Sequence, residues 1–221
     1  MAKNKVDNFN NLDGILTFNG NDEFYYIAVI RRCKDNNFDE VHLVELLPNV
    51  FSVDKYIKGF VITSKENVEQ YRDEIISLCE ENNARAYITI NPRSFEFINN
   101  EPDFFIASVT PRRYNTEEYE WEKLNPKVLI DVDIDDEKGL KDLDDLIKNN
   151  NVPVDMYTRT PNGGAQYVIP NMDCVSDIKE SFYNFDIYRK VGKENPEHEM
   201  EGKPAIHLLR DTMINLYADL K

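Results

Sequence analysis

The run Val128-Leu129-Ile130-Asp131-Val132-Asp133-Ile134-Asp135-Asp136 constrains this chain most. Three apolar residues lead into carboxylates at alternate positions, the pattern of a buried strand that ends in acids. On a strand, residues i and i+2 project to one face, about 7 Å apart. Asp131 and Asp133 therefore share a face, while Val132 and Ile134 point to a core. Two carboxylates held that close repel unless a cation or a proton sits between them. A hard divalent cation serving phosphate chemistry is a natural partner. Solvated loop acids, with Asp135 and Asp136 capping the next helix, explain the same residues without a metal. The apolar lead-in favours the metal, because it puts the acids at the carboxyl end of a core strand, where α/β sites gather.

A chain of 221 residues makes one large domain or two small ones. Its hydrophobic content of 41% is ample for a folded core. A net charge of −15 argues against a broad DNA-coating surface, which would be basic, and leaves a local basic groove open. Cys33, Cys79 and Cys174 have no metal-type spacing, and so sparse a set fits a reducing cytosol. The first residues lack an apolar stretch and no run of about 18 apolar residues occurs, so the expectation is a cytoplasmic protein without a membrane partner.

Strands and helices alternate along the chain, which predicts an α+β or α/β fold. Ile15–Phe18 reads as an edge strand. Phe24–Arg31, rich in aromatic and β-branched residues, reads as a strand with Val41–Leu47 as its hairpin partner. A short strand over Gly59–Thr63 precedes Ser64, the expected N-cap of a helix. That helix carries Val68, Tyr71, Ile75, Ile76 and Cys79 at helical spacing and runs to Asn82 or Asn83. In Arg85–Asn91 the apolar residues Ala86, Ile88 and Ile90 alternate with Arg85, Tyr87, Thr89 and Asn91, which predicts a strand with a polar ligand wall. A helix is expected near 93–100. After the acidic strand come a helix with Leu140, Leu143 and Ile147 as its stripe, strands over Val154–Thr160 and Ala165–Ile169, a helix capped by Ser176, and strands over Ile206–Leu209 and Met213–Tyr217.

Two further constellations carry chemistry. In Thr158-Arg159-Thr160-Pro161-Asn162-Gly163-Gly164-Ala165-Gln166, proline and the glycines preset a turn whose backbone N–H groups suit an anion. Arg159, Thr160 and Asn162 would add donors, although an ordinary hairpin explains the same residues. In Ile206-His207-Leu208-Leu209-Arg210-Asp211, His207 interrupts an apolar strand as a core histidine or a ligand, and Asp211 completes a carboxylate cluster or caps a turn. No Gly-x-Gly-x-x-Gly, Walker loop, HExxH or zinc pattern occurs.

The order of these pieces resembles the archaeo-eukaryotic primase superfamily. Its first motif, hhhDhD, is matched by Val128-Leu129-Ile130-Asp131-Val132-Asp133. Its second, Ser/Thr-x-Gly-Gly-x-His, is approached by Thr160 to Gln166. For its third, an Asp after an apolar pair, Leu208-Leu209-Arg210-Asp211 is the best candidate. The chain is also similar to small phage-type proteins with Arg-Ala-Tyr-Ile mid-chain, here Arg85–Ile88, and a closing Leu-Tyr strand, here Leu216-Tyr217. The resemblance spans roughly residues 85–217. It implies an RRM-like antiparallel core over 101–221, packed with an N-terminal α/β module over 1–100 into one compact unit. It further implies a Mg²⁺- or Mn²⁺-dependent nucleotidyltransferase acting on NTPs or dNTPs, with single-stranded nucleic acid as a partner. Asp131, Asp133 and Asp211 would be the metal ligands and catalytic acids. Arg85, Arg159, Thr160, Asn162, Gly163, Gly164, Gln166 and His207 would bind the nucleotide. Gln166 departs from the pattern, since glutamine carries no positive charge where the family has histidine. Two alternatives therefore stand beside turnover: a phage-encoded protein of this fold that binds a nucleotide or a host protein without catalysis, and an acidic DNA mimic.

Overall fold

A computed structural model describes residues 5–18, 21–32, 35, 55–95, 127–134, 136–178, 181–182, 206–210 and 212–221. Its strands are β1 (Val6–Asp7), β2 (Glu23–Arg31), β3 (Lys55–Ile62), β4 (Arg85–Thr89), β5 (Arg93–Ser94), β6 (Val128–Val132), β7 (Met156–Arg159), β8 (Ala165–Ile169), β9 (Ile206–Arg210) and β10 (Met213–Ala218). Among the described residues, helices α1 (Lys65–Asn82) and α2 (Glu137–Asn149) join 3-10 helices at Phe9–Gly14 and Met172–Ile178. The fold is mixed α+β with two antiparallel sheets. No helix among the described residues is long and apolar enough to cross a membrane.

The first sheet runs β1-β10-β4-β2-β3, with β5 also beside β2. Strand β2 is buried on both faces, since Tyr25, Ile27 and Val29 enter one cluster and Phe24, Tyr26 and Ala28 another. Helix α1 begins where Ser64 accepts a hydrogen bond from the Asn67 amide. It stops at Asn83, whose left-handed backbone (φ 47°) lets its N–H reach the Cys79 carbonyl. Val68, Ile75 and Cys79 bury its inner stripe among β2 and β4 side chains.

The second sheet runs β7-β8-β6-β9. Each neighbouring pair is antiparallel, so β6 and β7 are parallel with β8 between them. Helix α2 links β6 to β7, which makes a split β-α-β unit. Asp136 caps α2 by accepting from the Gly139 amide at 2.6 Å. Leu140, Leu143 and Ile147 pack on Val128, Ile130, Val132 and Ile134. Leu129, Met156 and Val168, on the opposite face of this sheet, join the cluster of the first sheet. Asp131 lies on that same face, by the two-residue period of a strand.

Four expectations need correction. Ile15 to Phe18 is irregular rather than a strand. The Tyr25 hydroxyl donates to the Ile15 carbonyl at 2.8 Å and accepts from the Thr17 amide at 3.1 Å, so these backbone groups need no sheet partner. Val41–Leu47 lies outside the described residues, and both edges of β2 are taken by β3, β4 and β5. Arg93–Ser94, the start of the helix expected near 93–100, is a strand paired with Glu23–Phe24; Phe95 is helical and residues 96–100 lie outside the described residues. Ser176 lies inside a 3-10 helix, its hydroxyl donating to the Asp173 carbonyl at 2.9 Å. In the first sheet β10 sits between β1 and β4, so strands from both ends of the chain share one sheet.

Burial pushes the Cys79 thiol up to about 12. The thiolate is the nucleophile, so Cys79 should resist iodoacetamide at pH 8 in the native protein. The half-buried Cys174 should react under the same conditions. Peptide mass spectrometry reads both sites, and guanidinium should erase the difference. Equal native rates at the two sites would contradict the burial of Cys79.

Candidate functional site

One cross-strand row organises the site. Strand register sets Thr158 opposite Gln166, Gln166 opposite Asp131, and Asp131 opposite His207. Directly paired residues share a sheet face. Asp131, Gln166 and His207, separate in sequence, are thus brought together. Asp131 and His207 are half-buried, whereas Asp133, just past the end of β6, is exposed.

Gln166 is 5% exposed and bridges the two sheets. Its Oε1 accepts from the Asn215 amide at 3.0 Å and from Asn215 Nδ2 at 3.1 Å. Its Nε2 donates to Asp131 Oδ1 at 3.0 Å. A backbone N–H can only donate, so the Asn215 amide fixes which end of the Gln166 side chain is oxygen. Asn215 is itself held, since its carbonyl accepts from Asn8 Nδ2 at 2.9 Å. Two buried atoms next to this bridge, Thr158 Oγ1 and Asn215 Oδ1, have no hydrogen-bond partner.

The polar face of β4 is not an open ligand wall. Arg85, Thr89 and Asn91 are all buried. Arg85 grips Asp35 through Nε and a terminal nitrogen, and donates to Asn162 Oδ1 at 3.1 Å. Thr89 Oγ1 accepts from the Tyr26 amide at 3.1 Å. Asn91 pairs with the Lys127 backbone in both directions, at 2.8 and 3.1 Å. Arg85 and Asn91 thus fasten the first sheet to the second. Tyr87 accepts from Arg32 at 3.3 Å, and burial raises its phenol above the ordinary range.

The turn after β7 closes on itself. The Thr160 amide donates to the Gly164 carbonyl at 2.9 Å, and the Gly163 amide to the Thr160 carbonyl at 3.0 Å. Those two N–H groups are therefore committed within the turn rather than presented to an anion. Gly163 adopts φ 93°, which suits glycine. Arg159 points away from Asp131, because successive strand residues take opposite faces. It pairs with Glu137 at the start of α2, at 2.9 Å.

Asp211 lies outside the described residues, as does Asp135. Among the described residues, no three His, Cys, Asp or Glu side chains gather around a metal-sized point. Sequence reasoning missed Asp35, Thr158 and Asn215. Asn215 left a signal, as the polar residue inside the apolar strand Met-Ile-Asn-Leu-Tyr. Set beside family models, curated proteins and solved structures, the chain matches none of them.

Proposed function

We propose that the chain is a metal-dependent nucleotidyltransferase of the primase-polymerase type, acting on NTPs or dNTPs. The observation that carries this is the Asp131 row: an acid flanked by Gln166 and His207, on the sheet face turned to the first sheet. The strand order β7-β8-β6-β9 around a split β-α-β unit supports an RRM-like core. Carboxylate oxygens are the hard donors that Mg²⁺ and Mn²⁺ prefer, so Asp131 and Asp133 suit such an ion, with Asp211 as the third ligand. When bound, the ion would neutralise the triphosphate and activate a 3′-hydroxyl. His207 is the residue of the row placed to meet a phosphate, since Gln166 is committed to Asp131 and Asn215.

Specific contacts favour a second reading, nucleotide or protein binding without turnover. Two expected phosphate donors are paired to carboxylates, Arg85 to Asp35 and Arg159 to Glu137. The purified chain, given Mn²⁺, a single-stranded template and nucleoside triphosphates, should release pyrophosphate and extend products. Asp131→Asn should lower that rate roughly a thousandfold with the melting temperature retained. Undiminished synthesis by Asp131→Asn refutes the assignment. Nucleotide binding by calorimetry without pyrophosphate release selects the second reading.

A further inference from the structure

We infer that Gln166 and Asn215 are positioning residues that aim the Asp131 carboxylate at a divalent cation, an inference that rests on the reading of Asp131 as a cation ligand. The chain of contacts has one sense only. The Asn215 amide and Nδ2 both donate to Gln166 Oε1, which turns Nε2 to Asp131 Oδ1. An amide nitrogen only donates, so Asp131 Oδ1 is fixed as the acceptor of Gln166 Nε2. With Oδ1 pinned, the carboxylate plane has little freedom to rotate. Gln166 and Asn215 are each 5% exposed, so water competes poorly for these bonds.

Packing alone does not account for this chain. Apolar residues of similar shape would close the same seam with little or no loss. The polar version instead leaves Thr158 Oγ1 and Asn215 Oδ1 buried without partners. Each such atom costs about 1–3 kcal/mol. An expense of that kind, beside a strand-end acid, fits a positioning task. Groups that hydrogen-bond a ligating carboxylate typically change metal affinity by about 10–100-fold.

Calorimetric titration of the full chain with Mn²⁺ alone tests this. Gln166→Leu should weaken Mn²⁺ binding about 10–100-fold. Gln166→His, which keeps one donor and one acceptor, should restore most of that affinity. A purely structural Gln166 would lower the melting temperature and leave Mn²⁺ affinity unchanged in the folded fraction, which overturns the inference. Should Gln166→Leu fail to fold by circular dichroism, Asn215→Ala removes the Nδ2 donor together with the unpartnered Oδ1 and leaves the backbone amide donating to Gln166. Weaker Mn²⁺ binding by that variant supports positioning, and wild-type affinity refutes it. Asp131→Asn separates the two levels: if it binds Mn²⁺ like the wild type, the ligand reading itself has failed. If Asp131→Asn loses Mn²⁺ while Gln166→Leu keeps it, only the positioning inference falls.

Discussion

Arg85→Met is expected to destabilise the protein by about 3–5 kcal/mol, as removal of one member of a buried ion pair does. The Arg85 and Asp35 side chains are 2% and 5% exposed. The guanidinium meets the carboxylate through two nitrogens, a fork that suits arginine and not lysine. Methionine fills much of the volume but leaves the Asp35 carboxylate buried without its cation. Asn162 also loses its donor, at little cost, because Asn162 is exposed and water replaces the bond. Whole domains are stable by about 5–15 kcal/mol, so this one change removes a large share. The double variant Arg85→Met/Asp35→Leu should recover much of the loss, since the stranded charge is the main penalty. Urea titration measures both. A single-variant loss below about 1 kcal/mol, the range of a solvent-exposed pair, would contradict the burial of this one.

Gly164→Ala is the second large effect. A Cβ built on Gly164 would stand 2.2 Å from the Val132 carbonyl oxygen and 3.1 Å from Thr160 Oγ1. The first neighbour is backbone of the central strand β6 and cannot rotate aside. The turn must lift or β6 must shift, and both disturb the Val132–Ala165 pairing next to Asp131. Overpacking of this kind costs about 1–3 kcal/mol, and a backbone obstacle places it at the upper end. Asp73→Ala, exposed in the middle of α1, is the control and should stay within about 0.5 kcal/mol. If Gly164→Ala melts with the control, the close approach of turn and strand is wrong.

Local signals made part of this molecule legible. Ser64 and Asn83 bracket α1 because a cap hydroxyl and a left-handed asparagine act within one turn of themselves. Asp136, Leu140, Leu143 and Ile147 announced α2 in the same way. The bounds Ala165–Ile169 were readable because a glycine turn and a proline fence the strand. What failed depends on partners far away in sequence. Arg85 is polar, so alternation sends it outward, yet Asp35 and Asn162 hold it inside. Arg159, which sequence reading aimed at an anion, and its neighbour Thr158 are put on opposite faces by the pleat, so only Thr158 joins the row of Asp131. The closeness of His207 to Asp131 is a matter of register, and register is set only when β6, β8 and β9 assemble.

The place of β10 bears on how the chain is made. Val6 pairs with Ala218, and Ala86 with Tyr217, across most of the chain's length. A ribosome delivers β1, β2, β3 and β4 long before Met213–Ala218 leaves the exit tunnel. Until then, among the described strands, β1 has no neighbour in its sheet and β4 shows a bare hydrogen-bonding edge to solvent. Such an edge is a template for stray strand pairing. Pairings this distant also slow folding, because a long loop must close before the contact rewards it. Stalled nascent chains ending before residue 213 should therefore be the species that chaperones hold and proteases cut, while release of the finished chain should confer protection within one cooperative step.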